Sequence, residues 1–281
     1  MHTKRHIGYL GPNGTFTEQA AKTVFKENGS FDFNMYDTIR DCLFAANDKT
    51  LDYMVVPIEN SIGGSVSTTI DWLVHEICVP IQGDIHLPIS YELLTNNSQV
   101  NIADYEIIYG HPQALKQCAH YLRRCYEGVD LQPTESSAMA AQIVAENTER
   151  PALAIANRLT RQIYDLTVID TGIENNLENT TRFIILGDEA VDLPSRTMKS
   201  TMVVSFPGND LMVLRKVLGV FQTLSLSPLK IESIPMKRKL GEYVFIIDLD
   251  TTDENKAYKQ ACDDIRALKC ELRHLGTYPS L

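Results

Sequence analysis

His6-Ile7-Gly8-Tyr9-Leu10-Gly11-Pro12-Asn13-Gly14-Thr15-Phe16-Thr17-Glu18-Gln19-Ala20-Ala21 runs an apolar stretch into a Gly-Pro turn, a second glycine, and a hydroxyl with an acid close behind. Residues 6–11 predict a short strand. The hydroxyl of Thr15 or Thr17 predicts a helix N-cap, with Glu18 in the first turn. A strand that leads through a short loop into a helix is the unit from which α/β folds are built. The same order recurs downstream. Residues 52–57 read as a strand, 58–64 as a polar Gly-rich loop, and 65–75 as a helix. Strand-like runs return at 77–82, 106–109, 152–155 and 167–169, with helical patterns at 113–124 and 138–146. This alternation predicts an α/β fold with a mostly parallel sheet and a ligand site at the carboxyl ends of its strands.

Residues 184–186 form one more strand, and the polar, Pro-containing stretch 187–199 marks a domain boundary. Beyond it the pattern changes. Residues 201–206 read as a strand, and Leu211, Leu214, Leu218 and Phe221 share one helix face. Strands follow at 229–233 and 243–249, then a helix marked by Ala257, Ala261, Ile265 and Leu268, and a last strand at 272–278. The order βαββαβ is ferredoxin-like. The expected domains are therefore 1–190 and 199–281.

With 281 residues, 44% hydrophobic and 22% charged, the chain has the composition of a globular protein with room for two domains. No apolar run approaches the roughly 20 residues of a membrane helix. The start lacks the long apolar stretch of a secretion signal. Six cysteines without a Cys-x-x-Cys pair predict reduced thiols and a cytoplasmic location. The seven histidines miss metal-ligand spacing, so no metal site is expected. Up to residue 197 there are 14 Lys+Arg against 26 Asp+Glu; beyond it there are 12 against 10. An acidic chain without a basic stripe argues against nucleic acid and membrane surfaces as partners. It also repels anionic substrates, which only placed Arg side chains and backbone N–H groups can offset.

Several stretches carry chemistry. The junction 11–17 offers N–H groups at a helix start, and is open to reading as an anion site or as a tight turn. Residues 56–66 place Glu59, Asn60, Ser61 and Ser65 after a strand, with Gly63-Gly64 allowing close backbone approach to a ligand. Asn179-Thr180-Thr181-Arg182-Phe183 brings a hydroxyl and a guanidinium suited to bidentate carboxylate binding. His111-Pro112-Gln113 opens a helix, where the histidine reads as a cap, and Gln117 and Cys118 follow on it.

Taken together, residues 11–21, 57–66, 111–118, the run Thr134-Glu135-Ser136-Ser137 and residues 179–183 resemble the prephenate dehydratase family. The resemblance extends to the C-terminal part, which looks like an ACT domain. There Ile231-Glu232-Ser233-Ile234-Pro235 stands where the family has Glu-Ser-Arg-Pro. The resemblance implies a catalytic domain of two lobes like a type-2 periplasmic binding protein, with the active site in the interlobe cleft and crossings near residues 80 and 160. It implies Thr181, Glu59, Asn60 and Gln117 as catalytic residues. It implies Arg182, Asn13, Gly14, Thr15, Ser61, Ser137 and Phe183 as substrate-binding. It implies decarboxylating dehydration of prephenate to phenylpyruvate, no cofactor, a possible phenylalanine effector, and a homodimer or homotetramer paired through the ACT domains.

Three departures from the family bear on these expectations. Gly110 replaces a family Ser before His111-Pro112-Gln113, and Ser136-Ser137 replaces a Ser-Thr pair. In the effector region, Asn209-Asp210-Leu211-Met212 stands for a family Gly-Ala-Leu loop, and Ile234 for its Arg. With Asp210, Leu211, Met212, Glu232, Ser233 and Ile234 as the effector-binding set, weakened phenylalanine feedback is expected. Arogenate dehydration and a non-enzymatic two-lobed small-molecule binder with an amino-acid sensor are the alternatives.

Overall fold

The computed structural model describes residues 4–26, 30–97, 101, 104–147, 150–206, 212–252 and 255–281. The first lobe contains β1 (Arg5–Leu10), α1 (Phe16–Val24), β2 (Phe31–Tyr36), α2 (Ile39–Asn47), β3 (Tyr53–Asn60), β4 (Gly64–Ser65), α3 (Ser67–His75) and β5 (Ile81–Pro88). The second lobe contains β6 (Glu92–Thr95), β7 (Ile107–Gly110), α4 (Pro112–Gln117), α5 (Ala119–Cys125), β8 (Asp130–Pro133), α6 (Ser137–Glu146), β9 (Ala152–Ala156), α7 (Arg158–Tyr164) and β10 (Thr167–Thr171). The chain then returns to the first lobe as β11 (Thr180–Gly187). A third unit comprises β12 (Met198–Ser205), α8 (Met212–Thr223), β13 (Ser227–Pro235), β14 (Tyr243–Asp250), α9 (Asn255–Ala267) and β15 (Glu271–Pro279).

The first-lobe sheet runs β2-β1-β3-β11-β5, with β4 paired to β3; the second runs β10-β6-β9-β7-β8. Both are mixed rather than mostly parallel. β1, β2 and β3 are parallel, but the returning strand β11 lies antiparallel between β3 and β5. In the second sheet β6 is antiparallel to both its neighbours. The crossings also lie further along than expected. They fall between β5 and β6 and between β10 and β11, whereas residue 160 lies within α7. The reason is the length of β5, which runs on to Pro88 and pairs with β11 as far as Thr180.

Alternation along these strands decides which face each side chain serves. Ile7, Tyr9, Val55, Phe183 and Ile185 pack on one face with Ala20 and Ala21 of α1. Met54, Val56, Ile184 and Leu186 point to the other, where they meet α2, α3 and the third unit. The third sheet is antiparallel, in the ferredoxin-like order β13-β14-β12-β15. Its two faces divide the work. Met202, Val204, Phe245 and Ile247 pack under α8 and α9, while Val203, Ile234, Val244, Ile246 and Leu275 join the first-lobe core. β15 also approaches β5 closely: a Cβ on Gly276 would lie 2.2 Å from the Ile81 carbonyl oxygen, so only glycine fits. Among the described residues no helix is long and apolar enough to cross a membrane.

Candidate active site

The cleft chemistry begins at a single rung of the first sheet. Thr181 of β11 stands opposite Asn60 of β3, and the next rung pairs Arg182 with Glu59. Successive strand residues face opposite ways. Thr181 and Asn60 therefore line a cavity of about 310 Å³, together with Phe16, Tyr91, Gln113, Gln117 and Asn179. That is the lower end of the size range of small-molecule sites, about 300–1,000 Å³.

Asn60 is held from both ends. Its Oδ1 accepts the N–H groups of Ile62 (3.0 Å) and Gly63 (2.7 Å), an Asx turn that fixes the orientation of the amide. Its Nδ2 donates to Asn179 Oδ1 at 2.8 Å and to Thr181 Oγ1 at 2.9 Å. The Thr181 oxygen thus already accepts a bond, and among the described residues no acceptor takes its proton. Asn179 in turn donates to Gln117 Oε1 at 3.2 Å, which leaves the Gln117 amide donors for the cavity. The chain of bonds turns donors toward the space where a ligand would sit.

Gln117 reaches this position because its helix breaks. Residues 113–124 predict one helix, but α4 ends at Gln117 and α5 begins at Ala119. Asn175 occupies the break: its N–H donates to the Gln117 carbonyl at 2.6 Å, its Nδ2 to the Lys116 carbonyl at 3.2 Å, and its Oδ1 accepts from His120 N at 3.0 Å. A second cavity of about 610 Å³ adjoins the first through Gly63, Gln113, Gln117 and Asn179, and carries Lys116 and Glu174 on its wall. His111 caps α4 through Nδ1, as expected. Gly110 is buried beneath it. A Cβ there would meet Leu115 at 3.2 Å.

The other expected residues are placed elsewhere. Arg182 is buried under the third sheet, where Nε meets Asp84 Oδ2 at 2.5 Å, Nη1 bonds Asp248 and Nη2 donates to the Tyr278 hydroxyl at 2.9 Å. It does not line the cavity. Glu59 faces the same way, with Oε1 3.1 Å from Lys230 Nζ and Oε2 3.8 Å from Arg182. Phe183 is a core residue beneath α1. Burial pushes the Asp84 carboxyl up, but its bond to His86 and the charges of Arg182 and Lys199 overcome this and hold it well below the usual range.

At the junction 11–17 one donor is already used within the chain: Glu18 of α1 accepts the Gly14 N–H. Asn13 accepts the Tyr9 hydroxyl at 2.6 Å, and Thr15 caps α1 while donating to the Leu10 carbonyl. The Gly14 carbonyl accepts from Asn157 and Thr160 of the second lobe, both at 2.8 Å, so this loop ties the lobes together. Ser61 accepts the Thr180 N–H at 2.9 Å and pins the loop to β11. Ser137 begins α6 outside both cavities, and the helix is capped by Ser136. Of the effector set, Asp210 and Leu211 lie outside the described residues. Met212 is exposed at the start of α8, Ser233 is exposed, and Glu232 and Ile234 face the first lobe.

The edge-to-face pair of Phe16 and Tyr91, 5.6 Å apart, supplies an aromatic wall to the cavity that the sequence reading missed. Asn179 and Lys116 stand inside the motifs 179–183 and 111–118 without a chemical signature of their own. Their proximity to the site depends on the two lobes facing each other, which no local pattern encodes.

The family model described as prephenate dehydratase matches residues 7–191. The prephenate dehydratase of Lactococcus lactis subsp. cremoris (strain MG1363) is 38% identical over 275 residues, 97% of this chain and 96% of that protein. The one of Bacillus subtilis (strain 168) is 36% identical over 282 residues, 98% of each. Among solved structures, prephenate dehydratase from Arthrobacter aurescens in complex with L-Phe superposes with a TM-score of 0.85 at 27% identity, covering 98% of this chain and 89% of that one.

Proposed function

Because the chain belongs to the prephenate dehydratase family, and is thereby a hydro-lyase of aromatic amino acid biosynthesis, we propose that it converts prephenate to phenylpyruvate in the cleft between its lobes, at Thr181, Asn60 and Gln117. The ring carboxylate leaves as CO2. Its bonding electrons enter the ring, which becomes aromatic as the C–O bond to the ring hydroxyl breaks. Hydroxide departs and takes a proton to become water, so the reaction consumes one proton. Aromatisation supplies the driving force. The protein's task is to orient the dianion and to stabilise charge developing on the leaving oxygen.

The observation that carries this reading is the bond from Asn60 to Thr181. It occupies the threonine oxygen as an acceptor and leaves its O–H to donate to the departing oxygen. A threonine is a poor acid, so its contribution is electrostatic, worth about 10²–10³ in rate for one well-placed donor. The Phe16–Tyr91 wall suits the flat six-membered ring. Arg182 and Glu59 have no direct part. Lys116 is the cation on the wall of the adjoining cavity and the candidate partner for the side-chain carboxylate.

Phenylalanine as effector rests on the L-Phe complex of the Arthrobacter aurescens protein. The weakened response expected from Asp210 belongs to this reading, as does the cytoplasmic location. Pairing of copies through the third sheet is supported by its outer strand β13, where Leu229 and Ile231 are 52% and 39% exposed. The test is phenylpyruvate formation by purified protein from prephenate, with arogenate and added phenylalanine as parallel arms. Turnover of prephenate supports the assignment. Turnover of arogenate alone reassigns the substrate, and binding without turnover of either refutes the reaction.

A further inference from the structure

We propose that Lys230, on the third sheet, is a positioning residue for the reaction, clamping the β3–β4 hairpin from behind so that Asn60 keeps the Thr181 proton aimed into the cavity. This rests on the assignment of Thr181 and Asn60 above. The Lys230 ammonium donates to Ser65 Oγ at 2.8 Å and lies 3.1 Å from Glu59 Oε1 and 3.2 Å from Glu232 Oε2. Ser65 Oγ donates onward to Glu232 Oε2 at 2.6 Å. The ammonium thus has one hydrogen-bonded hydroxyl and two ion-paired carboxylates around it. Two of those acceptors, Glu59 and Ser65, are register partners across the hairpin.

The next rung of the same hairpin pairs Asn60 with Gly64, and Asn60 with Thr181 on the other side. Gly63, Gly64 and Ser65 line the cavity. The clamp and the reacting groups therefore meet in the same few residues, with Ser65 belonging to both. β4 is two residues long and Gly64 has a φ of +76°, so the hairpin has little rigidity of its own. The Asx turn that orients Asn60 depends on Ile62 and Gly63 holding their places. Without the cation, Glu59 and Glu232 would face Ser65 as two like charges, and their repulsion would drive the hairpin away from β13. The Lys230 side chain is only 17% exposed, so water screens this cluster less than a surface pair.

Steady-state kinetics on prephenate test the clamp in the full-length protein. Lys230→Met is expected to lose about tenfold in kcat, the equivalent of roughly 1.4 kcal/mol, with KM within about threefold of wild type. Lys230→Arg should restore most of the loss. Ser65→Ala, which removes a shared bond without stranding a charge, should lower kcat in the same sense. A purely structural lysine would not split kcat from KM in this way, nor be rescued by arginine. Unchanged kcat in Lys230→Met, a loss confined to KM, or no rescue by arginine overturns the proposal. If Lys230→Met does not fold, Ser65→Ala decides, and unchanged kcat there overturns it. Inactivity of the wild-type protein toward prephenate would instead refute the underlying assignment.

Discussion

Replacing Arg182 with Met should damage stability far more than substrate binding. The guanidinium lies between two buried carboxylates, Asp84 and Asp248, and bonds the fully buried Tyr278 hydroxyl. Lys199 compensates Asp84 at 2.9 Å, and Thr201 donates to Asp248 at 2.6 Å, but Arg182 is the charge partner of Asp248 in this cluster. Removing it strands a buried negative charge, a change that typically costs about 3–5 kcal/mol. Against a total stability of about 5–15 kcal/mol this is a large fraction. At about 2–4 °C per kcal/mol for a chain of this size it lowers the melting temperature by about 6–20 °C. Thermal or urea unfolding reads the loss directly. Adding Asp248→Asn to Arg182→Met should recover part of it, and the double-mutant cycle should show a coupling above about 1 kcal/mol. The effect also has a pH signature. Asp84 has a folded pKa below its ordinary value of 3.8, so its contribution is present above that value and is lost as pH falls below it. The gap between wild type and Arg182→Met should therefore narrow in acid. A variant of wild-type stability whose KM for prephenate rises a hundredfold would refute this placement and return Arg182 to the substrate.

Other outcomes follow from the same geometry. Lys116→Met should raise KM for prephenate by about tenfold, the scale of one lost charge contact, with little change in kcat; an unchanged KM in steady-state assays excludes it as the carboxylate partner. The His274 ring lies against the Tyr258 hydroxyl at 2.6 Å on an otherwise exposed residue, and the partial loss of water around it together with the charge of Arg266 lowers its pKa below 6.5. Its folded form prefers to be neutral, so the stability it contributes is present above pH 6.5 and declines as pH falls below it. Urea midpoints from pH 7.5 to 5 should show that decline, and His274→Gln should flatten it.

Much of the architecture is legible in local pattern. Hydrophobic period and capping residues mark β3, α6, β9 and the whole βαββαβ order of the third unit. β2 and α2 are as regular, with Phe31, Phe33 and Met35 alternating with polar residues and Ile39, Cys42, Leu43 and Ala46 on one helix face, yet they are absent from the strands and helices expected from the sequence. Thr181, Asn60 and Gln117 are legible as a motif set, and they meet in space. Glu59 and Arg182, one residue away from two of these, cannot be separated from them by motif. Strand alternation sends neighbours to opposite faces, and only the docking of the third sheet shows which face is the cleft. At the junction 11–17 the donors are real, and one of them, the Gly14 N–H, is already taken by Glu18 on the same helix. The break at Cys118 depends on Asn175, more than fifty residues away in sequence.

The most direct test is the kinetics of Thr181→Val on prephenate, beside an active wild-type protein. Valine keeps the size and branching of threonine and removes only the hydroxyl. The expected result is a fall in kcat of about 10²–10³, with KM within a few fold and the fold intact. A kcat within tenfold of wild type would contradict the role of the Asn60-oriented hydroxyl and, with it, the assignment of the reaction to this rung of the cleft.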